Sequence, residues 1–254
     1  MRKLQLLFAF MIVSQFINAQ TAFMGDVTDY AYINRYAFTQ VVSTLKEQDK
    51  TPRVIIYSFG ENNKLVEKKE QQGKRTLIWQ YAYDNNWNVT ETKKVMNDEL
   101  VSVEKCTYDA ENRLAYTATL RIEEKDSITE HITWVDTTTR HCKRFDGFKE
   151  VPTMTTFDEK KRPVNEVKTD GSGLEWAYVD DLLVMRKVKG DKQSIKDIDR
   201  YDYDNENRLR SIENALTQKT FHYDNSGLLT KIQVFDENGL MIGWEKFEYV
   251  FPNK

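Results

Sequence analysis

Six aspartates recur along this sequence and are the residues whose type and number could support chemistry. Two carboxylates at a set separation can hydrolyse a glycosidic bond, and clustered aspartates can contribute to a Ca²⁺ site. Recurrence about once in every two dozen residues is instead typical of a structural role at a turn. We therefore interpret as turn residues Asp84, Asp109, Asp158, Asp204, Asp224 and Asp236.

Other signatures of catalysis and metal binding are weak in this sequence. It contains no G-x-S-x-G, P-loop or G-x-G-x-x-G pattern, and His131, His141 and His222 lie without a nucleophile partner. The stretch Asp224-Asn225-Ser226-Gly227 lacks the further acidic ligands of a calcium loop. The sequence therefore predicts no catalytic residue, no cofactor and no metal site, and the protein is expected not to be an enzyme.

The aspartates belong to a repeated phrase of aromatic–x–aromatic–Asp, a few polar residues, Gly or Asn, and then Leu. Alternation along a strand places the two rings on one face, and the aspartate can accept hydrogen bonds from the following turn. Asn or Gly late in the phrase tolerates positive φ, as Gly227 and Gly239 illustrate. Each phrase therefore predicts a β-hairpin corner. The clearest copies are Cys106 to Leu114, Tyr201 to Leu209 and Phe221 to Leu229; others begin at Tyr57, Tyr81, Thr156, Trp176 and Val234.

The resulting prediction is an all-β chain of antiparallel hairpin repeats that forms an extended or curled sheet. The repeat domain is expected over residues 54–254, and residues 21–53 are expected to form a short N-terminal cap. Within that cap, Tyr36 to Glu47 could be a short helix. A cap is expected because the end edge of a stacked sheet must be covered to prevent pairing with other chains.

The first twenty residues have the pattern of a secretory signal peptide. Arg2 and Lys3 precede an apolar run from Leu4 to Ile17, which is too short and too interrupted for a good membrane span. The chain is therefore predicted to be exported, either to the periplasm or outside the cell, with no membrane span after cleavage. Its formal net charge of −3 gives no electrostatic reason to expect nucleic acid as a partner.

Two questions stay open at the level of sequence. Cys106 and Cys142 could form a disulfide in an oxidising compartment, or they could be separate half-buried thiols. Trp87 and Trp244 lie near predicted turns, so they could form a binding platform, although rings in such repeats more often pack between strands.

The repeated Tyr-Asp phrase resembles the YD repeat of RHS-type proteins, with related MORN-like repeats as a neighbouring resemblance. The best copies lie at Tyr108, Tyr203 and Tyr223, although Asn stands for Gly in the first two. The resemblance implies β-hairpins wound into sheets or hollow shells, and contact with carbohydrate or other cell-surface molecules. This chain is expected to be too short to close such a shell.

The predicted function is that of an exported binding or interaction module, with a carbohydrate or a cell-envelope protein as partner. A structural component of the envelope is the alternative, and a hydrolase using turn carboxylates is a weaker third.

Overall fold

The regular elements that the structure describes are all β-strands. This computed structural model describes residues 39–48, 50–60, 63–146, 150–191 and 194–252. The predicted signal peptide, residues 1–20, lies outside the described residues, as does most of the predicted cap. Among the described residues there is no helix long and apolar enough to cross a membrane.

Eighteen strands follow one another in the part of the chain that the structure describes. They are β1 Gln40–Glu47, β2 Arg53–Phe59, β3 Leu65–Gln72, β4 Arg75–Tyr83, β5 Val89–Met96, β6 Glu99–Tyr108, β7 Leu114–Arg121, β8 Asp126–Trp134, β9 Thr139–Phe145, β10 Glu150–Phe157, β11 Pro163–Lys168, β12 Gly173–Val179, β13 Leu182–Lys189, β14 Ile195–Tyr203, β15 Leu209–Glu213, β16 Thr217–Tyr223, β17 Leu229–Asp236 and β18 Met241–Val250.

The strands form a closed antiparallel barrel in which each strand pairs with its neighbours in sequence. Strands β9 and β10, at the middle of the chain, pair like any other hairpin, with Cys142 opposite Thr153. The ring closes where β1 pairs with β18, with Ser43 opposite Phe247, while β1 also pairs with β2. The prediction of an all-β antiparallel chain is therefore confirmed.

Two finer expectations about this fold were wrong. The sheet is neither extended nor merely curled, because β1 and β18 pair their edges and leave a closed ring. The chain is also long enough to close, because the strands contain only five to ten residues and the turns between them are short. The stretch that could have been a short helix contains β1, which completes the wall of the barrel.

Side chains alternate between the interior of the barrel and its outer surface. On β8, Ile128, Glu130 and Ile132 are buried, whereas His131 and Thr133 are exposed. The largest buried apolar cluster lies where β1 and β2 meet β16, β17 and β18, and it contains Val41, Ile55, Tyr57, Phe59, Phe221, Leu228, Leu229 and Phe247. This cluster packs the seam at which the barrel closes.

The seam cluster predicts a large difference between two leucines of the same hairpin. Leu229 is 0% exposed and Leu240 is 66% exposed. Leu229→Ala should lower the free energy of unfolding by about 2–5 kcal/mol, because it leaves a cavity in packed core. Leu240→Ala should change it by less than about 0.5 kcal/mol. Urea denaturation measures both values, and equal effects would contradict the placement of this seam.

Candidate functional site

Five-residue turns built around an aspartate dominate one end of the barrel. At Asp204, the carboxylate Oδ1 accepts hydrogen bonds from the backbone N–H groups of Glu206 and Arg208, each at 2.9 Å. The Arg208 side chain then donates to Asp204 Oδ2 at 2.7 Å. The six aspartates named from the sequence all begin such turns: Asp84, Asp109, Asp158, Asp204 and Asp224 at this end, and Asp236 at the other.

The third residue after each of these aspartates has positive φ. This φ is 88° at Gly227, 77° at Gly239 and 60° at Asn207. Trp87 occupies the equivalent position with a φ of 64°. Glycine and asparagine adopt this backbone conformation at low cost, whereas a bulky residue does so rarely.

A belt of tyrosines ties several hairpins to the hairpins before them. The Tyr203 hydroxyl donates to the Leu183 carbonyl oxygen at 2.9 Å, and Tyr223 donates to the Leu209 carbonyl at the same distance. Each tyrosine directly precedes a turn, and each acceptor lies at the start of the preceding hairpin's return strand. Equivalent bonds join Tyr83 to Leu65, Tyr108 to Val89 and Tyr178 to Pro163. Tyr249, near the end of the last described strand, donates in the same way to the Leu229 carbonyl.

Arginines of the turns stack on rings of the next hairpin. The Arg208 guanidinium lies 4.9 Å from the centre of the Tyr223 ring, and Arg162 lies 4.3 Å from that of Tyr178. The same arginines are ion-paired with Asp204 and Asp158. The turn carboxylates are therefore occupied by contacts within their own repeats, which suits a structural role better than catalysis.

The tyrosine belt predicts a specific cost for removing one hydroxyl. Tyr203→Phe should lower the free energy of unfolding by about 1 kcal/mol or slightly more, because the partly buried Leu183 carbonyl loses its donor. Tyr116 offers a matched control, since its ring contacts His131 and no hydrogen bond of its hydroxyl is described. If Tyr116→Phe costs as much as Tyr203→Phe in chemical denaturation, the belt does not stabilise the barrel as described.

The turn hydrogen bonds also lower the pKa of several aspartates. The Asn88 side chain and backbone N–H groups lower the pKa of Asp84, and the Ser226 hydroxyl is the main cause at Asp224. At Asp204, partial desolvation raises the pKa, but hydrogen bonds from Arg208 outweigh it and the net direction is downward. A carboxyl with a depressed pKa stabilises the fold at pH values above its unfolded pKa of about 3.9.

This linkage predicts the pH dependence of one matched substitution. Asp224→Asn retains an oxygen that can accept the turn hydrogen bonds but removes the charge. The variant should be less stable than wild type at pH 7, and the difference should vanish as the pH falls through the lowered pKa of Asp224. Thermal melts from pH 7 to about pH 2.5 measure this; a constant difference would contradict a role for the ionised carboxylate.

A cavity of about 790 Å³ lies inside the barrel between β1–β3 and β13–β18. Aromatic and aliphatic side chains cover much of its wall, among them Ile55, Tyr57, Tyr201, Phe221, Ile232 and Phe247. Charged side chains interrupt this apolar lining: Glu47, Lys50, Arg53, Lys68, Glu70, Arg186, Asp197, Asp199, Lys219 and Glu245. A cavity of this volume is within the range that holds small organic ligands.

Most of the charged groups in the cavity wall are held by neighbours. Arg186 Nε donates to Asp199 at 2.8 Å, and Arg53 is paired with Glu70 at 3.2 Å. Ser43 donates its hydroxyl to Glu245, whose pKa is raised by burial. These contacts fix the orientation of the polar groups in the cavity wall, and such preorganisation in general lowers the entropic cost of binding.

A second, smaller cavity of about 60 Å³ lies in the wall formed by β4 to β9. Glu130 and Arg144 line it and form an ion pair at 3.1 Å. Burial raises the pKa of Glu104 at the same place, partly offset by a hydrogen bond from Thr119. This cavity has room for little more than water.

The two tryptophans proposed as binding residues lie apart. Trp87 is 46% exposed in the β4–β5 turn at the end of the barrel that carries most aspartate turns. Trp244 lies on β18, opposite Lys46 and Gln233, and the Lys246 ammonium sits 5.2 Å from its ring centre. Because one lies in the β4–β5 turn and the other near the start of β18, they do not share one surface, and neither lines the 790 Å³ cavity. That either of them binds a ligand stays a prediction.

Cys106 and Cys142 are free thiols, so the disulfide that the sequence left open is absent. They lie on β6 and β9, which are three strand spacings apart, about 14 Å along the wall. A disulfide requires Cα atoms within about 7 Å. Burial raises the pKa of each thiol to about 12, which favours the protonated form of both at neutral pH.

Sequence reasoning missed the charged residues of the cavity. The sequence did contain a sign of them: a charged residue two positions before a buried ring lies on the same face of its strand. Asp199 precedes Tyr201 in this way, and Glu245 precedes Phe247. The interruption of an apolar face by Glu130 belongs to the same pattern, since Glu130 is 6% exposed. A charge on the buried face of a strand marks an interior that is not filled by apolar packing alone.

Comparisons with known proteins yield distant structural similarity only. No family model matches the chain, and no curated protein matches it in sequence. A crystal structure of a porin-like protein from Bacteroides uniformis ATCC 8492 is 8% identical and has a TM-score of 0.38, over 84% of this chain and 96% of that one. At this TM-score the similarity supports no functional conclusion.

Two structures of TcdB2-TccC3, one of them described as TcdB2-TccC3-TEV, are each 14% identical over 74% of this chain. Their TM-scores are 0.22 and 0.20, and this chain spans only 16% and 15% of their lengths. The assignment to YD-repeat, RHS-type or MORN-like proteins was therefore wrong: no family model matches, and the hairpins close into one barrel of eighteen strands.

Proposed function

We propose that this chain is an exported, non-enzymatic binding protein that holds a small amphipathic molecule inside its barrel. The observation that carries the proposal is the 790 Å³ cavity, whose wall combines rings and aliphatic side chains with a few fixed charges. That combination is typical of small-molecule sites, where apolar surface supplies affinity and a few polar groups supply orientation.

The outer surface supports a barrel surrounded by water. Lys93, Lys105 and Lys246 are exposed on the outer face and lie inside their strands rather than at the ends. A barrel that spans a lipid bilayer presents an outward apolar band about 25 Å tall, and a lysine near its middle costs about 2–4 kcal/mol. The closed ring alone would fit a pore, but this distribution of charge favours a binding protein.

Export rests on the pattern of residues 1–20 and remains part of the proposal. A purely structural role in the cell envelope is the second candidate, because long strand edges could pair with other chains. Closure of the ring disfavours it, since β1 and β18 use their edges on each other. A hydrolase using the turn aspartates is disfavoured because hydrogen bonds within each turn occupy their carboxylates.

Carbohydrate or envelope-protein partners, expected from the sequence, remain alternatives to a ligand inside the barrel. An exposed ring platform would favour them, but Trp87 and Trp244 do not form one. A partner that binds the outer surface would be insensitive to changes inside the barrel, which separates the two ideas experimentally.

Filling the cavity tests the proposal directly. Ile232 lines the cavity, whereas Gln233 is the next residue on β17 and points to the other face. Ile232→Trp should abolish binding of the neutral fluorescent probe phenylnaphthylamine, and Gln233→Trp should leave it unchanged, because only the first adds volume inside. Fluorescence titration measures both. Equal binding by both variants would contradict the proposal, as would failure of wild type to bind both this probe and a charged probe with the same ring system.

A further inference from the structure

Two lysines in the cavity wall are not neutralised by direct ion pairs. Lys68 on β3 and Lys219 on β16 both line the 790 Å³ cavity. Within the ranges that the structure describes, neither ammonium forms an ion pair or a hydrogen bond. Their charges therefore face the interior without the direct partner that Arg53 has in Glu70 and Arg186 has in Asp199.

The surroundings of Lys68 are aromatic. Its ammonium lies 4.8 Å from the centre of the Trp79 ring and 5.9 Å from that of Tyr57. Such contacts stabilise a cation without neutralising it. Burial lowers the pKa of Lys68, since the charged form is partly removed from water. Glu70 and Glu245 act on this ammonium electrostatically but do not pair with it directly. A partly buried ammonium without a direct ion pair is costly, and a bound anion would reduce that cost.

One carboxylate in the cavity wall, that of Glu245, interacts with several cations. Glu245 interacts electrostatically with Arg53, Lys219 and Lys68, which all favour its ionised form. Desolvation acts in the opposite direction and is the larger influence, so the pKa of Glu245 is raised. Because Arg53 is already paired with Glu70, the wall of β2, β3, β16 and β18 carries more positive than negative charge.

The wall around β14 has the opposite character. Asp197 and Asp199 line the cavity there, and the Arg186 guanidinium pairs with Asp199. An anion is therefore repelled from the β14 side and attracted toward Lys68 and Lys219. Apolar side chains of the seam line the cavity beside the positive groups: Phe221 lies two residues from Lys219 on β16, Ile232 on β17, and Phe247 two residues from Glu245 on β18.

We propose that the cavity binds a small organic anion with an apolar body, with the anionic group between Lys68 and Lys219 and the body against Phe221, Ile232 and Phe247. This inference rests on the proposed function and adds the chemical class of the ligand. It assigns Glu245 the role of a competing internal counterion that the ligand partly displaces.

Two probes that share one ring system separate the inference from the proposed function. Anilinonaphthalene sulfonate carries a negative charge, and phenylnaphthylamine is its neutral parent. Wild type should bind the anionic probe at least about tenfold more tightly than the neutral probe. Both probes bury the same rings, and only the sulfonate can accept charge-assisted hydrogen bonds from the two lysines. Lys68→Met and Lys219→Met should each weaken anion binding about tenfold and leave binding of the neutral probe unchanged.

Two further variants control for charge and for folding. Lys246→Met removes the same charge from the outer face of β18 and should leave both affinities unchanged. Glu245→Gln should tighten anion binding, an effect that loss of structure cannot mimic. Near-ultraviolet circular dichroism checks that each variant is folded.

The outcomes are distinct. If the two probes bind equally well and the lysine variants change nothing, the inference is overturned while the cavity remains a binding site. If neither probe binds wild type, the proposed function fails together with it. If Glu245→Gln weakens anion binding, the assignment of that carboxylate as a competitor is wrong.

Discussion

Pairing of the first described strand with the last is the constraint on which the rest of the structure depends. An open sheet of this length would leave two edges of unpaired N–H and C=O groups, which are templates for aggregation. The ladder between β1 and β18 removes both edges and at the same time encloses a volume. The seam cluster around Val41, Leu229 and Phe247 packs this junction. The most buried apolar residues therefore lie where the last strand pairs with the first described strand.

Local structure could be predicted well because its causes are local. The alternation of rings and the aspartates before turns are properties of five to ten consecutive residues, and hydrogen bonds such as those from Arg208 and Glu206 to Asp204 lie within the same phrase. Closure could not be predicted in this way. It depends on register between residues two hundred positions apart, such as Ser43 and Phe247, and on accumulated twist that no single phrase encodes.

The resemblance to a known repeat misled because similar turn chemistry can serve different architectures. A phrase that makes a hairpin corner specifies two strands and says little about the number of hairpins or about their closure. The candidate site could not be predicted for the same reason, because it depends on closure of the barrel. Lys68, Lys219 and Glu245 belong to three different hairpins, and only the closed ring brings them to one cavity. In the sequence, each of them is a charged residue on the same face of its strand as the buried residues. One such residue by itself indicates only an interruption of an apolar face.

The wall of this barrel carries charged side chains on both faces, and the two sets differ in their effect on the stability of the fold. Outer lysines such as Lys105 are solvated and cost little. Lys68, by contrast, is held above two rings in a partly desolvated interior, where its charge lowers stability unless something compensates it. An apolar residue of similar length would fill that space more favourably for folding alone. A residue that costs stability in a cavity large enough for a ligand is more simply explained by binding than by architecture.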